Sequence, residues 1–574
     1  MKNPFEFEAA NNLQPEDIIE YYIEDYNFSR FIQSTKNVFL IGERGSGKTM
    51  TLLHNSFQIQ HLIRTKKNDI SYAKIGIHIP CNTPIFMKGE YLLIADEYKK
   101  AIISEHYLVL SILYAIANTL DNIQEIVDAT DKISNELFDN IEYIWDVSLD
   151  KKSENFFKAI KKYLNKESIA TQRKINAFES DAFYENTMTF ASSILPFLQL
   201  MRQIKILSES HFMLMIDDAH DMNEYQIKAL NSWIAYRDHS LFSFKVATVK
   251  VDRPKLITSA GGSILEGHDF VTVDMEQSYQ NEGTDFYNLS KAIIEKRLKR
   301  VGIHVSAEDF FPLNSSLQSD LDTCRKKARI EGTRKYGENN KTSVDDYVYK
   351  YYRAIYFKDR SDKANKPPYS GFETIVDIST GVVRNLLDPC YWMFDSVLNS
   401  TKESVKIIDP KIQTTIIVDR SKRMWDTLRN GLDKVVSDCS SEDAKNILHF
   451  FENLMQLFAK RLKLDISEPR AIVFSISQID NYLDKYNEII KLLNIAQRAQ
   501  YIYTRMGNSK EKGKQEIYYV PNRLLFPCLG LDPHGQFSRT SLKVVDIYNA
   551  TFNNKAFPIN NEKNENEKQL NLTL

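Results

Sequence analysis

The stretch Asn37-Val38-Phe39-Leu40-Ile41-Gly42-Glu43-Arg44-Gly45-Ser46-Gly47-Lys48-Thr49 decides the fold. An apolar run, Val38 to Ile41, meets the spacing G-x-x-x-x-G-K-[ST], and a helical pattern from Met50 to Ile63 follows at once. In such a loop the glycines let backbone N–H groups reach a phosphate with no Cβ in the way. The N-terminus of the following helix adds its positive dipole end. Gly42, Glu43, Arg44, Gly45, Ser46, Gly47, Lys48, Thr49 and Met50 are therefore the expected phosphate-binding residues. Lys48 is placed to reach the β- and γ-phosphates and Thr49 to ligate Mg²⁺. A chance glycine turn is the bland alternative, and the strand before and helix after count against it. The expectation is a chain that binds a nucleoside triphosphate.

Composition narrows the class. At 574 residues, the length suggests three to four domains of about 150 residues each. Hydrophobic residues make up 43% and charged residues 26%, the balance of a globular protein with room for large cores. A formal net charge of −2 argues against a uniformly basic nucleic-acid coat but permits local basic patches. Five cysteines (Cys81, Cys324, Cys390, Cys439, Cys528) are widely spaced and odd in number. That suits a reducing compartment and argues against a disulfide framework or a structural zinc site. The N-terminus lacks a basic-then-apolar layout, so no signal peptide is expected. No apolar run approaches 18 residues, so no membrane span is expected and the reading is cytoplasmic.

Further along, Tyr72 to Pro80 alternates like a strand, and residues 85–205 read as successive helices. The stretch from Lys48 to Asp217 is several times longer than the roughly 30 residues a βαβ unit needs, which implies an inserted helical subdomain. His211-Phe212-Met213-Leu214-Met215-Ile216-Asp217-Asp218 is an apolar strand ending in two acids. With a phosphate loop upstream, Asp217 is the expected Mg²⁺ ligand, and Asp218 can polarise an attacking water. The rival reading is a plain strand cap. Leu241 to Val251 is another buried strand, and Phe270 to Met275 a further short one. Near-continuous apolar strands alternating with helices imply a parallel α/β sheet covered on both faces. Thr248 and Lys250 end the strand beside Asp217. A polar side chain there could touch the γ-phosphate or simply face solvent, and alternation forbids both from pointing inward.

Taken together, the loop GERGSGKT (42–49), the strand MLMIDDAHD (213–221) and the segment STGVVRNLLDPC (379–390) resemble AAA+ ATPases of the origin-recognition initiator clade. The similarity is greatest to prokaryotic ORC-like proteins with a C-terminal winged helix. It covers residues 1–400 as ATPase and, less securely, 465–552. The resemblance implies an α/β P-loop AAA+ core at 1–84 and 206–283, with a helical insertion at 85–205. It implies a helical lid at 284–404 and a winged-helix-like α+β domain at 405–556, while the Asn/Glu/Lys-rich composition of 557–574 reads as a disordered tail. It implies ATP and Mg²⁺ as cofactors, with ATP hydrolysed to ADP and phosphate. Arg384 matches the lid arginine that contacts the γ-phosphate in that family. Asp218 stands where many P-loop ATPases carry Glu, one methylene longer, which puts brisk hydrolysis in doubt. Relatives often lend an arginine to a neighbour's site; Arg253 and Arg297 are the candidates here.

The C-terminal pattern is helices near 419–436, 442–463 and 477–495, then two aromatic strands around a loop with Lys510, Lys512 and Lys514. This suits a winged helix whose wing grips nucleic acid, with Arg505 alongside and Arg523 and Arg539 adding positive charge nearby. Solvated lysines or a protein-binding wing are the alternatives. The leading expectation is an ATP-dependent switch that meets DNA at its C-terminal module and a protein effector, or neighbouring copies, at the insertion. The resemblance points toward prokaryotic anti-phage defence or mobile-element DNA transactions. Two rivals stand: a nucleotide-gated oligomerising scaffold that scarcely hydrolyses ATP, and a replication initiator that loads a helicase. No nuclease, protease or cyclase signature is present.

Overall fold

The apolar run ahead of the phosphate loop forms β1 (Val38–Ile41), and four more runs form β2 (Lys74–Pro80), β3 (His211–Asp217), β4 (Phe242–Thr248) and β5 (Val271–Asp274). They build one parallel sheet in the order β2-β3-β4-β1-β5. Every residue of β3 and β4 is buried, as a parallel sheet covered on both faces requires. The chain is seen in a computed structural model that describes residues 2–6, 10–24, 28–81, 89–122, 135–149, 155–176, 187–236, 240–251, 255–276, 285–360, 367–400, 405–436, 438–463, 471–508, 515–535 and 539–558. It divides into two compact units, Glu8–Met275 and a second made of Met1–Phe7 with Glu276–Leu574.

In the first unit, register aligns the strand ends. Ile41 lies opposite both Thr248 and Asp274, and Pro80 opposite Asp217. The phosphate loop, Asp217 and Thr248 therefore emerge along one carboxyl edge, where open α/β sheets bind ligands. Beyond the loop, the expected single helix is two. α1 (Lys48–His54) ends at Asn55, and α2 (Phe57–Lys67) restarts after an extended Ser56. The break has a cause: Asn55 Nδ2 donates to Thr51 O (2.8 Å) and to Ser29 Oγ (3.1 Å). Its carbonyl then presses on Gly76 of β2, where an added Cβ would lie 2.3 Å from Asn55 O.

Between β2 and β3 come α3 (Glu97–Asp121), α4 (Asn135–Trp145), α5 (Phe156–Asn176) and α6 (Leu195–Met201). Asp96 caps α3 by accepting from Tyr98 N and Lys99 N. By length and hydropathy α3 could cross a membrane, which the absence of a long unbroken apolar run did not suggest. Most of its apolar window is buried here instead: Leu110, Leu113 and Ile116 share a core with Phe157, Ile160 and Leu164 of α5 and Ile75, Ile77 and Ile79 of β2. α7 (Glu224–Ile234) follows β3 behind a capping box of Asn223 and Gln226.

The second unit holds α8 (Asp285–Arg300), the antiparallel pair α9 (Ser315–Tyr336) and α10 (Lys341–Arg360), then α11 (Phe372–Ile378), α12 (Val383–Ser400) and α13 (Pro410–Asn430). A basic run at 325–341 falls largely on α9, with three of its charges paired: Arg325 with Asp322 (2.6 Å), Lys327 with Asp359 (3.2 Å), Arg329 with Asp345 (2.7 Å). α14 (Ser441–Lys463) leads to β6 (Val473–Ser477), a strand where a helix had been expected to begin. α15 (Leu483–Arg498) starts six residues later than that expectation. The hairpin β7 (Ile502–Asn508) and β8 (Gln515–Pro521), then β9 (Arg539–Lys543) and α16 (Val544–Phe552), complete the unit. Its sheet runs β7-β8-β6-β9, with β6 antiparallel to β8 and parallel to β9. The tail expected from 557 is not loose at its start, because Phe557 is buried edge-on to Phe450. Residues 559–574 of that tail lie outside the described residues.

Candidate functional site

The phosphate loop takes the shape its glycines permit. Gly45 (φ 90°) and Gly47 (φ 97°) adopt left-handed backbone, and a Cβ on Gly42 would sit 2.6 Å from Ser46 Oγ. Lys48 is buried and folds back on the loop, its Nζ donating to Gly42 O (2.7 Å) and Glu43 O (3.1 Å). Ser46 Oγ in the loop and Thr248 Oγ1 at the end of β4 are both buried without a hydrogen-bond partner. Gly42 N donates to Thr248 O (3.3 Å), so the two segments adjoin. A buried ammonium bonded to loop carbonyls and two orphaned hydroxyls at a strand edge fit a phosphate-bearing ligand.

Asp217 is fully buried at the tip of β3. Its Oδ1 accepts from Asp218 N (3.0 Å) and its Oδ2 lies 3.1 Å from His78 Nε2. Among the described residues no group of three His, Cys, Asp or Glu could cage a metal alone. A hydroxyl from Thr49 and a carboxylate from Asp217 instead suit Mg²⁺, which takes few protein ligands and completes its shell with phosphate oxygens and water. Asp218 turns into left-handed backbone (φ 55°). Burial raises its carboxyl pKa to about 6, reinforced by Asp217 and opposed by Lys48 and Arg44. The same burial pushes the Cys81 thiol well up, with Asp217 and Asp218 adding to it.

The two readings of the β4 end separate cleanly. Thr248 is buried with its hydroxyl unpartnered, whereas Lys250 pairs with Asp274 at 3.0 Å. In the second unit, Arg384 is exposed in the first turn of α12. Arg297 is buried and donates to Pro4 O (2.9 Å) and Glu6 O (3.1 Å), so it holds the N-terminus rather than reaching a neighbour. Arg253 lies outside the described residues, as do Lys510, Lys512 and Lys514. Arg505 donates through Nη2 to Thr380 O (2.8 Å), and Arg523 pairs with Asp377 (2.7 Å). These two arginines therefore brace the unit internally. Arg539 likewise lies over the Tyr518 ring.

The family model described as ORC-CDC6-like matches residues 3–339 and 309–542. The chain belongs to that family. Two solved structures are similar to this ORC-CDC6-like chain. Cdc6p from Pyrobaculum aerophilum is 10% identical, with 91% of this chain and 94% of that one covered and a TM-score of 0.27. The Aeropyrum pernix Orc1 protein in complex with DNA is 9% identical, with 90% and 92% covered and a TM-score of 0.27. No curated protein matches.

One residue of this ORC-CDC6-like site, His78, and one buried cation at the amino end of β1, Lys245, escaped sequence reasoning. His78, in the adjacent strand, meets Asp217 only because β2 and β3 pair in register. Lys245 is fully buried in the middle of β4, donating to Ser34 O at 2.7 Å and also to Lys36 O. Burial lowers its pKa to about 7. A lysine flanked by Phe244 and Val246 was the one available signal, and it was read as part of an ordinary buried strand.

Proposed function

We propose that this chain is an ATP-binding and ATP-hydrolysing switch in a DNA-associated process. The observation that carries the reading is the phosphate loop with its buried, unpartnered Ser46 and Thr248 hydroxyls, on the same strand edge as Asp217 and Asp218. Lys48 exchanges its carbonyl partners for the β- and γ-phosphates, and the amides of 42–49 cradle the rest of the chain of phosphates. Mg²⁺ held by Thr49 and Asp217 would neutralise phosphate charge. Thr248 supplies its hydroxyl toward the γ-phosphate, and Asp218, ionised above a pKa of about 6, accepts a proton from the attacking water. Arg384 keeps the γ-phosphate contact that the family resemblance implies.

For DNA, the winged-helix reading of 405–556 is part of the same proposal. It is supported by the β7–β8 hairpin and by family membership. With Arg505 and Arg523 engaged internally, contact with nucleic acid falls to Lys510, Lys512 and Lys514. The setting is proposed as prokaryotic defence or mobile-element DNA transaction, with a protein effector or neighbouring copies as partners. The test is phosphate release by purified protein with and without duplex DNA. DNA-stimulated turnover that disappears in Lys48→Ala is the expected result. The short Asp218 side chain favours a second reading, a nucleotide-gated scaffold. Tight ATP retention without turnover would select it.

A further inference from the structure

A cavity of about 510 Å³ opens between edge strand β2 and helices α3 and α5, wholly within the first unit. Its volume falls in the range that encloses a small organic ligand. Leu110 and Ile79 supply apolar wall, and the polar lining is amides and hydroxyls: Ser111, Asn118, Asn122, Asn165 and Ser168. Among the described residues no lysine, arginine, aspartate or glutamate lines it. The ammonium that touches the lining residue Asn118 is itself paired: Lys161 Nζ bonds Asp121 (2.7 Å) while donating to Asn118 Oδ1 (3.2 Å). Ser111 Oγ is buried there without a partner. The Tyr114 ring, 38% exposed, also lines the cavity.

These groups specify a ligand class. The absence of a lining cation disfavours phosphates and carboxylates, and the absence of a lining carboxylate disfavours amines. Side-chain amides match the paired donor and acceptor edges of a nucleobase, an exposed aromatic face suits stacking, and hydroxyls suit a sugar. His78 lines the same cavity and contacts Asp217 Oδ2 at 3.1 Å. We propose that this cavity binds an uncharged nucleoside, placing it one side chain away from Asp217. Binding is a property of the cavity alone; only its bearing on ATP turnover rests on the function proposed above.

Isothermal titration calorimetry of the full chain with adenosine, guanosine, cytidine and uridine, each alone, tests this. The expected result is saturable heat from at least one, retained in Lys48→Ala. Ser111→Leu, which fills the cavity, and Asn118→Ala, which removes an exposed amide without disturbing the core, should each weaken binding by about tenfold or more. Weakening by Asn118→Ala, a cavity residue of α3 outside the loop at 42–49, separates this site from the phosphate loop, so a failed ATP reading leaves it standing. Should Ser111→Leu not fold, Asn118→Ala decides. Absence of heat from all four nucleosides, loss of it in Lys48→Ala, or unchanged heat in the folded cavity variants overturns the proposal.

Discussion

His106 shows how one buried side chain sets a pH limit on the fold. On α3 it accepts from Met188 N at Nδ1 (3.0 Å), so its Nε2 carries the proton and donates to Thr171 Oγ1 (3.0 Å) on α5. Burial, and secondarily Lys174, lowers its pKa to about 4; burial and then Lys245 do the same for His211. The unfolded chain takes up protons from about pH 6.5 while the folded chain does not. Stability is therefore full above that pH and falls as pH drops toward 4. Urea denaturation at pH 7 and pH 5 should show a loss of up to about 2 kcal/mol per histidine, and His106→Gln should shrink the difference. Equal stability at both pH values would contradict this. Lys48, Thr49 and Asp217 were legible because a contiguous motif names them. His78 and His106 were not, because their partners lie 139 and 65 residues away and meet only through strand register and helix packing.

Elements follow the same division. β1, β3 and β4 could be read from apolar runs because both faces of a parallel sheet are buried. The break between α1 and α2 could not, because it depends on the approach of Asn55 O to Gly76 from another strand. Gly76→Ala should lower stability by about 2 kcal/mol or more, since backbone rather than a yielding side chain opposes the new methyl. Thermal melts showing no change would remove that contact from the account. α13 begins at Pro410 rather than 419 because Asp409 accepts from Lys411 N (2.7 Å) and Pro410 occupies the first turn. That Asp-Pro start signal was present and overlooked. Asp409→Ala should cost about 1 kcal/mol by the same assay. β6 went unforeseen because Val473 to Ser477 is short and its alternation resembles the start of the helix beyond it.

At the scale of the whole molecule, the C-terminal module grips the segment just ahead of Arg384 within the second unit. Arg505 donates to Thr380 O, Arg523 N donates to Thr380 Oγ1 (3.0 Å), and Asn385 Nδ2 donates to Tyr503 Oη (2.9 Å). Thr380 is itself in left-handed backbone (φ 58°), a conformation that such contacts must hold in place. Arg505→Ala should therefore lower thermal stability and leave the salt dependence of DNA binding unchanged. Replacing Lys510, Lys512 and Lys514 together should weaken DNA binding and reduce the salt slope by about three, near one per lost phosphate contact. A reduced slope in Arg505→Ala would show that arginine on DNA rather than on Thr380. The central claim is narrower than any of these: a triphosphate settles in the loop at 42–49. Calorimetry of ATP into the folded chain with Mg²⁺ measures it directly. Saturable uptake in the wild type, lost in a Lys48→Ala variant of unchanged melting behaviour, is the predicted result, and no uptake by well-folded wild type contradicts the account.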